Sequence, residues 1–260
     1  MKSEKLYKYY RFDPEEHWTF PINLHGLYFD SFEHFNDPHE CFFNVTTEGS
    51  FEEKKEIIRG WNSSSEFQNE LDACADEKGL RRFYVELNTE FAYQNMRRSL
   101  EKIRVTCFSK SPDILLMWSH YTKSHSGFCI EFDKQEIGKD IQWVDVEYVK
   151  DPPSMSIFKK YSVEWYFQHK YHGWSYEEEV RAIGTAERKY FLLESMTGIC
   201  LGLNALATEN KRNLSKLKLL IEDFAPHLKT KLKIARRHKS EFKIELVDYS
   251  FESLEVASRE

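Results

Sequence analysis

Three charged side chains in the stretch "SYEEEVRAIG" have the types and spacing that chemistry needs. Glu177, Glu179 and Arg181 alternate along a segment that enters a predicted strand, and alternate residues of an extended chain point to one side. Two carboxylates beside a cation can keep one acid ionised and orient the other, as reaction at a sugar carbon requires. Spacing alone favours the plainer alternative, a solvated acidic turn.

A second group of reactive side chains lies in "LMWSHYTKSHSGFCIEF". Ser119, His120 and Tyr121 are consecutive on a predicted helix, so their side chains point about 100° apart and a Ser-His nucleophile pair is not expected. Tyr121 shares a helix face with Trp118, which suits core packing or the wall of a pocket. His120 and His125 either anchor the turn or reach a ligand.

The histidines of this stretch also raise the question of a metal. His120 and His125 are five residues apart, and Cys129 follows. Helical histidine ligands usually sit four apart, and Gly127 interrupts the helix before a third ligand could join. No metal site is therefore expected.

The first predicted strand, "LYKYYRF", carries cations among aromatic residues. Lys8 or Arg11 at the end of such a strand could bind a phosphate or a nucleotide. The same pattern also describes an edge strand with its polar residues facing water. Neither a Walker loop nor a G-x-G-x-x-G sequence is present, so a P-loop or Rossmann site is not predicted.

Hydrophobic periodicity predicts an α+β fold in one domain, residues 1–260. Residues 50–102 are charged, have helical spacing and are predicted to form a helical insertion. Further helices are expected in "DILLMWSHYT" after Ser111-Pro112, in the stretch that begins "SIFKKYSVEW" and is helical to about Lys170, and in "TENKRNLSKLKLLIEDFAPHL". The predicted strands are 6–12, 27–29, 103–109, 127–133, 141–149, 180–183, 198–203 and a terminal hairpin in 231–249.

Composition narrows the class of function. The formal net charge of -6 argues against a general electrostatic grip on nucleic acid. The five cysteines are widely separated and form no C-x-x-C pair, which predicts reduced thiols in the cytoplasm. The N-terminal residues are not an apolar signal segment, and no run approaches the ~20 apolar residues that span a bilayer, so no membrane role is expected.

Four motifs in order carry a family resemblance: "LYKYYRF", "SFEHFNDPHE", "CFSKSPDILLMWSHYTKSHSGFCIEF" and "WSYEEEVRAI". Together they resemble the bacterial domain-of-unknown-function family 2971, over about Leu6 to Ile183. The central block is the most specific part of the resemblance. The family name supplies no activity.

The order of these elements is also similar to that of ADP-ribosyltransferase toxins, a fold-level analogy. The analogy implies mixed, mainly antiparallel sheets forming a cleft that holds NAD. In it, Lys8 or Arg11 would hold NAD, Tyr121 would stack on it, and Glu179 with Glu177 would stabilise the oxocarbenium-like ribose and orient the acceptor. The remaining candidates for contact with NAD are Ser119, His120 and His125.

The analogy with ADP-ribosyltransferases thus predicts an NAD-dependent ADP-ribosyltransferase-like enzyme, which would be a bacterial toxin or an anti-phage defence effector. Its expected partners are NAD or another nucleotide, a protein or nucleic-acid acceptor, and an antitoxin or defence-system protein. Two alternatives remain open. One is a non-catalytic interaction or sensor module of a defence system, and the other is a nuclease that binds a divalent metal through Glu131, Asp133 and Glu179.

Overall fold

The structure, a computed structural model, describes residues 4–85, 89–138, 141–191 and 193–252. It has the predicted α+β class, with helices and a large, mainly antiparallel sheet. The chain divides into two compact units. The first comprises Met1–Asp30, Arg104–Val146 and Gly173–Glu260, and the second comprises Ser31–Ile103 and Glu147–His172.

The division into two compact units does not test the prediction of one domain over residues 1–260 with an insertion at 50–102. The predicted insertion, residues 50–102, falls within the second unit, and the extent of a single domain over 1–260 stays a prediction. Residues 1–3, 86–88, 139–140, 192 and 253–260, which that domain also covers, lie outside the described residues.

The strands follow one another along both units. In chain order they are β1 (Lys5–Tyr10), β2 (Gly26–Tyr28), β3 (Asn44–Thr46), β4 (Arg104–Ser109), β5 (Phe128–Asp133), β6 (Gln142–Asp145), β7 (Glu147–Val149), β8 (Ser154–Ser156), β9 (His169–Tyr171), β10 (Glu179–Gly184), β11 (Arg188–Tyr190), β12 (Met196–Leu201), β13 (Leu232–Arg237) and β14 (Ile244–Asp248). The predicted strand 141–149 is therefore two strands, β6 and β7.

The α-helices are mostly short. They are α1 (Phe20–Asn23), α2 (Phe51–Arg59), α3 (Ser65–Asp72), α4 (Glu77–Arg81), α5 (Thr89–Leu100), α6 (Leu115–Tyr121), α7 (Lys134–Ile137), α8 (Val163–Gln168) and α9 (Lys211–Phe224). Helices α2 to α5 confirm the helical spacing read in 50–102. The helix predicted to run to about Lys170 ends earlier, because residues 169–171 form β9, which pairs in parallel with β7.

The first unit is built on an eight-stranded sheet of order β14-β13-β12-β5-β1-β4-β10-β6. Every neighbouring pair is antiparallel except β12 and β13, which are parallel. The apolar face of α9, with Leu217 and Ile221 fully buried, joins sheet residues such as Phe128 and Phe132 in the main core. The apolar residues of a helix and of the sheet strands thus pack in one core, as an α+β fold requires.

This sheet narrows in the middle. Strand β1 pairs with β5 from Lys5↔Asp133 to Tyr10↔Phe128, but it pairs with β4 only at Tyr7↔Ser109. On the other side, β4 pairs with β10 from Glu179↔Ser109 to Gly184↔Arg104. A five-stranded part and a three-stranded part therefore share one residue pair, and side chains rather than backbone ladder bonds occupy the junction beyond it.

A left-handed turn follows α6 and leads to β5. Lys123, Ser124 and His125 have φ angles of 52°, 57° and 65°, a conformation that costs L-residues energy. The side-chain amide of Asn204 donates to the carbonyl of Ser124, and its backbone N–H donates to that of His125, both at 2.9 Å. At Gly127 a Cβ would lie 2.0 Å from the carbonyl oxygen of Tyr10, so only glycine fits.

The second unit has a smaller core. Ile58, Leu71, Leu80 and Phe158 are buried together between the helices. Helix α2 begins with a capping box in which Ser50 and Glu53 bond each other's backbone N–H groups. Two parallel strand pairs, β3 with β8 and β7 with β9, complete the unit. Among the described residues of the whole chain, no helix is both long and apolar enough to cross a membrane.

Candidate functional site

Glu177 and Glu179 are both buried, but not in the predicted geometry. Their exposed fractions are 3% and 4%. Glu177 is the last residue of a 3₁₀ helix, His172–Glu177, and the strand begins only at Glu179. Between them Glu178 is left-handed, with φ 46°, and its carbonyl accepts from the N–H of Lys110 at 3.0 Å. Placing the two glutamates on one side by strand alternation was therefore wrong, and neither lies in a solvated turn.

Helix α6 contacts the end of this 3₁₀ helix through two consecutive residues. The hydroxyl of Tyr121 donates to Oε1 of Glu177 at 2.5 Å. Nδ1 of His120, which is exposed, lies 2.9 Å from the hydroxyl of Tyr176. The side chains of adjacent helical residues point in different directions. His120 and Tyr121 nonetheless bond two consecutive residues, because the side chains of Tyr176 and Glu177 also point in different directions.

Glu179 is held by Arg181, and this part of the prediction is confirmed. The two residues lie on the same side of β10, and Nε and Nη2 of Arg181 donate to the two carboxylate oxygens at 2.8 and 3.3 Å. Arg181 is completely buried. A two-point guanidinium contact fixes the plane of the carboxylate and favours its ionised form.

Lys8 lies beside this pair, at the β1–β4 junction. Its ammonium donates to the carbonyl of Cys107 at 3.0 Å and sits 5.4 Å from the centre of the Phe108 ring. Burial lowers the pKa of Lys8, an effect opposed by the charges of Cys107 and Glu179. Within the described part of the chain, no carboxylate lies within 4.0 Å of it. Lys8 is thus a half-buried cation that donates to a backbone carbonyl near Glu179.

The other candidates for NAD contact are not gathered at this junction. Arg11 is exposed beyond the end of β1, and Ser119 is half-buried on α6. His125 lies in the left-handed turn, where its Nδ1 is buried without a hydrogen-bond partner among the described residues. Burial and the nearby charge of Arg237 lower the pKa of His125. The structure therefore brings together Lys8 with Glu179 and, through one hydrogen bond, Tyr121 with Glu177.

The three carboxylates of the nuclease alternative do not converge. Glu131 and Asp133, on β5, lie 3.9 and 3.6 Å from the ammonium of Lys5. Glu179 is on β10, with β1 and β4 between the two strands. At about 4.8 Å per strand the backbones of Glu131 and Glu179 are roughly 14 Å apart. One divalent ion cannot bind all three.

Histidine and cysteine at the α6 turn do not form a cluster of metal ligands either. Within the described ranges, the one group whose ligand atoms lie within 4.8 Å of one another is Asp13, Glu15 and His17. Glu15 and His17 are exposed, and His17 is 3.3 Å from Asp13 in an ordinary surface ion pair. Such a surface group is not evidence of a site.

Two residues that contact the candidate residues or lie beside them were not foreseen from the sequence. Ser109 pairs with both Tyr7 and Glu179 and is completely buried, and Tyr176 bonds His120. Ser109 could have been found by aligning the predicted strands, since it ends β4 where β10 begins. Tyr176 stands directly before the acidic run, which was the available signal.

Fold and site together define an α+β protein with a buried glutamate, Glu179, and a half-buried lysine, Lys8, where its main sheet narrows, and a second buried glutamate, Glu177, at the end of the preceding 3₁₀ helix. Residues 117–182 match a family described as protein of unknown function (DUF2971). The resemblance read from the sequence is confirmed over this segment, which holds Tyr121, Glu177, Glu179 and Arg181. No curated protein and no solved structure matches the chain.

Proposed function

We propose that this protein is an NAD-dependent ADP-ribosyltransferase-like enzyme. The observation that carries the proposal is the pairing of two buried carboxylates with different partners: Glu177 with a phenol, and Glu179 with a guanidinium. A reaction through a cationic sugar needs one carboxylate that stays ionised and a second that handles a proton. Lys8 adds positive charge for a phosphate-bearing substrate.

In the proposed reaction, the bond between C1′ of the ribose and the nicotinamide nitrogen breaks. Nicotinamide leaves with the electron pair, and an oxygen or nitrogen of the acceptor bonds C1′. Glu179, kept ionised by Arg181, stabilises the oxocarbenium-like ribose. Glu177 takes the proton of the acceptor while Tyr121 orients Glu177, and Lys8 binds the pyrophosphate.

The test is direct. Purified protein is incubated with radiolabelled NAD and bacterial extract, and both label transfer and nicotinamide release are measured. We expect Glu179→Gln to lower nicotinamide release by on the order of 100-fold and Glu177→Gln by at least about tenfold, the usual range for a catalytic carboxylate. Glu178→Gln is the matched control, since Glu178 is exposed between them.

Folding of each variant is checked by circular dichroism, so that a lost activity is assigned to chemistry. The proposal fails if the wild type releases no nicotinamide with any extract. It also fails if folded Glu179→Gln and Glu177→Gln match the wild type.

We propose in addition a role as a toxin or anti-phage effector, in which transfer of ADP-ribose to an essential protein or nucleic acid arrests growth. The five cysteines are free thiols, which suits the reducing cytoplasm. Induced expression in bacterial cells should slow growth for the wild type and not for Glu177→Gln. A protective partner, if it is an antitoxin, should copurify and restore growth.

One observation favours the second candidate, a non-catalytic sensor module. Both oxygens of Glu179 bond Arg181 inside the protein, as in a structural ion pair. On this proposal a folded Glu179→Gln variant keeps the cellular effect of the wild type, and neither protein consumes NAD. The enzyme proposal expects the effect and NAD consumption to disappear together.

A further inference from the structure

The second unit contains a cavity of about 450 Å³. Three segments line it: residues of the loop before β3, the β7–β9 strand pair, and the loop Lys150–Pro153. Cavities that bind small molecules usually measure about 300–1,000 Å³. This cavity therefore has the size for a ligand of one or two rings with a polar group.

Hydrogen bonds within the protein hold the loops that line the cavity. The backbone N–H of Asn44 donates to the carbonyl of Pro153 at 3.0 Å, and its side-chain amide donates to that of Pro152 at 3.1 Å. Arg97 of α5 donates to the carbonyl of Glu40 at 3.0 Å, in the opposite loop. Two prolines and these bonds hold the loops in place, so a ligand need not order them.

Two aromatic rings are exposed at this cavity. Phe42 is 41% exposed and Tyr171 is 49% exposed, both high values for large side chains of their kind. Stacking of a nucleobase on such a ring contributes about 1–3 kcal/mol per base. The rings thus favour a flat, aromatic ligand over an aliphatic one.

Cationic and imidazole groups line the same cavity. Lys150 is exposed and, in the described ranges, has no ion-pair partner, and His39 is exposed beside Phe42. Nδ1 of His169 donates to the carbonyl of Trp165 at 3.0 Å, which leaves Nε2 to contact a ligand. Among the lining residues Lys150 and Lys170 are cations and Asp151 is an anion, and outside the lining Oδ1 of Asp37 lies 3.8 Å from Nδ1 of His39. The balance favours an anion.

We propose that this cavity binds a nucleoside monophosphate. The base stacks on Phe42 and Tyr171, the phosphate pairs with Lys150 and His39, and Nε2 of His169 hydrogen-bonds the nucleoside. None of the residues that line this cavity is a candidate for the proposed transferase chemistry, so the inference does not depend on that activity.

The probes are AMP, adenosine and inorganic phosphate, each titrated into the full chain by calorimetry. We expect saturable binding of AMP below about 1 mM, with adenosine and phosphate each at least about tenfold weaker because each lacks one of the two contacts. Tyr171→Ala should weaken AMP binding about tenfold, the equivalent of one lost stacking contact. Lys150→Ala should weaken AMP binding about fivefold and leave adenosine binding unchanged.

Matched controls come from residues outside the cavity. Phe242 is fully exposed and Lys102 is exposed, so Phe242→Ala and Lys102→Ala should bind AMP as the wild type does. Tyr171→Leu keeps an apolar side chain and should weaken binding nearly as much as Tyr171→Ala, since stacking needs a ring. Thermal unfolding confirms that each variant is folded.

Three results would overturn the inference. One is the absence of saturable AMP binding by the wild type. Another is AMP affinity unchanged in both Tyr171→Ala and Lys150→Ala. The last is equal affinity for AMP and adenosine, which would mean that the cationic groups do not read a phosphate. NAD turnover unaffected by Lys150→Ala would confirm that the two sites are independent.

Discussion

The hydroxyl of Tyr121 donates a hydrogen bond to the buried carboxyl of Glu177, and so joins α6 to the 3₁₀ helix before β10. The neighbouring pair, His120 with Tyr176, makes the same connection one residue earlier in each element. These two bonds fix where the chain turns before Glu179. The position of one candidate catalytic carboxyl is thus set by a residue 56 positions away in the sequence.

Replacing Tyr121 with Phe should remove this bond to the buried Glu177 carboxyl. We expect the free energy of unfolding to fall by about 1–3 kcal/mol, the range for losing one buried hydrogen bond to a carboxylate. NAD turnover should fall as well, because Glu177 is no longer oriented. Urea denaturation measures the first effect and nicotinamide release the second.

Tyr28→Phe is the control for this substitution, since the Tyr28 side chain is half exposed. It should change neither quantity. If Tyr121→Phe proved as stable and as active as Tyr28→Phe, the Tyr121–Glu177 bond would have no role in the site.

The Glu179–Arg181 pair should behave as a buried ion pair. Removing one partner, as in Glu179→Leu or Arg181→Met, should lower the free energy of unfolding by about 3–5 kcal/mol, because the remaining buried charge loses its two hydrogen bonds to the other residue. The double variant should lose less than either single variant, since both charges are then gone. Chemical denaturation of the four proteins gives the comparison, and additive losses would contradict it.

Much of this arrangement could be predicted from local sequence. β-Branched and aromatic residues identified β4, β5 and β10, and strand alternation correctly placed Arg181 on the same side as Glu179. Helical spacing identified α2 to α5 within residues 50–102. These features depend on neighbours a few residues apart, which is the information that a periodic pattern holds.

The rest depended on contacts between distant residues. Glu177 does not lie in the extended segment expected before the predicted strand, because Glu178 adopts a left-handed conformation and Tyr121 binds the carboxyl of Glu177. Local spacing predicted a helix up to about Lys170, where the structure has the start of β9. The pairing of β9 with β7, 22 residues earlier at Glu147↔His169, has no local signature in the sequence. The narrowing at Tyr7↔Ser109, which leaves room for Lys8, likewise arises only when the strands are assembled.

Lys8→Met should stabilise the protein while abolishing its use of NAD. Burial lowers the pKa of Lys8 below its usual 10.5, so the unfolded chain holds this proton more tightly than the folded one. The loss of stability caused by the buried, charged Lys8 is fully present below the folded-state pKa. It disappears as pH rises from that pKa toward 10.5. At about pH 7 we expect a gain of about 1 kcal/mol in the free energy of unfolding.

Urea denaturation at several pH values measures this difference. The advantage of Lys8→Met should shrink as pH rises toward the usual lysine pKa. Lys102→Met, at an exposed position, should show no such gain. A less stable Lys8→Met protein at neutral pH would mean that the ammonium stabilises the junction. A structural role would then explain Lys8 without a phosphate-bearing substrate.

His125→Asn should reduce the sensitivity of the fold to acid. Burial and the charge of Arg237 lower the pKa of His125 below its usual 6.5, so the unfolded chain takes up this proton first as pH falls. Stability is therefore unaffected above about pH 6.5 and is lost below it, down to the folded-state pKa. Asparagine cannot titrate there, and it tolerates the left-handed φ of 65° better than histidine.

The measurement is the unfolding temperature at about pH 7.5 and about pH 5.5, on either side of the usual histidine pKa. His125→Asn should be at least as stable as the wild type at the higher pH and should lose less on acidification. His172→Asn, at an exposed histidine, should lose as much as the wild type does. Parallel losses in His125→Asn and the wild type would show that the imidazole of His125 is not the group whose protonation opposes folding.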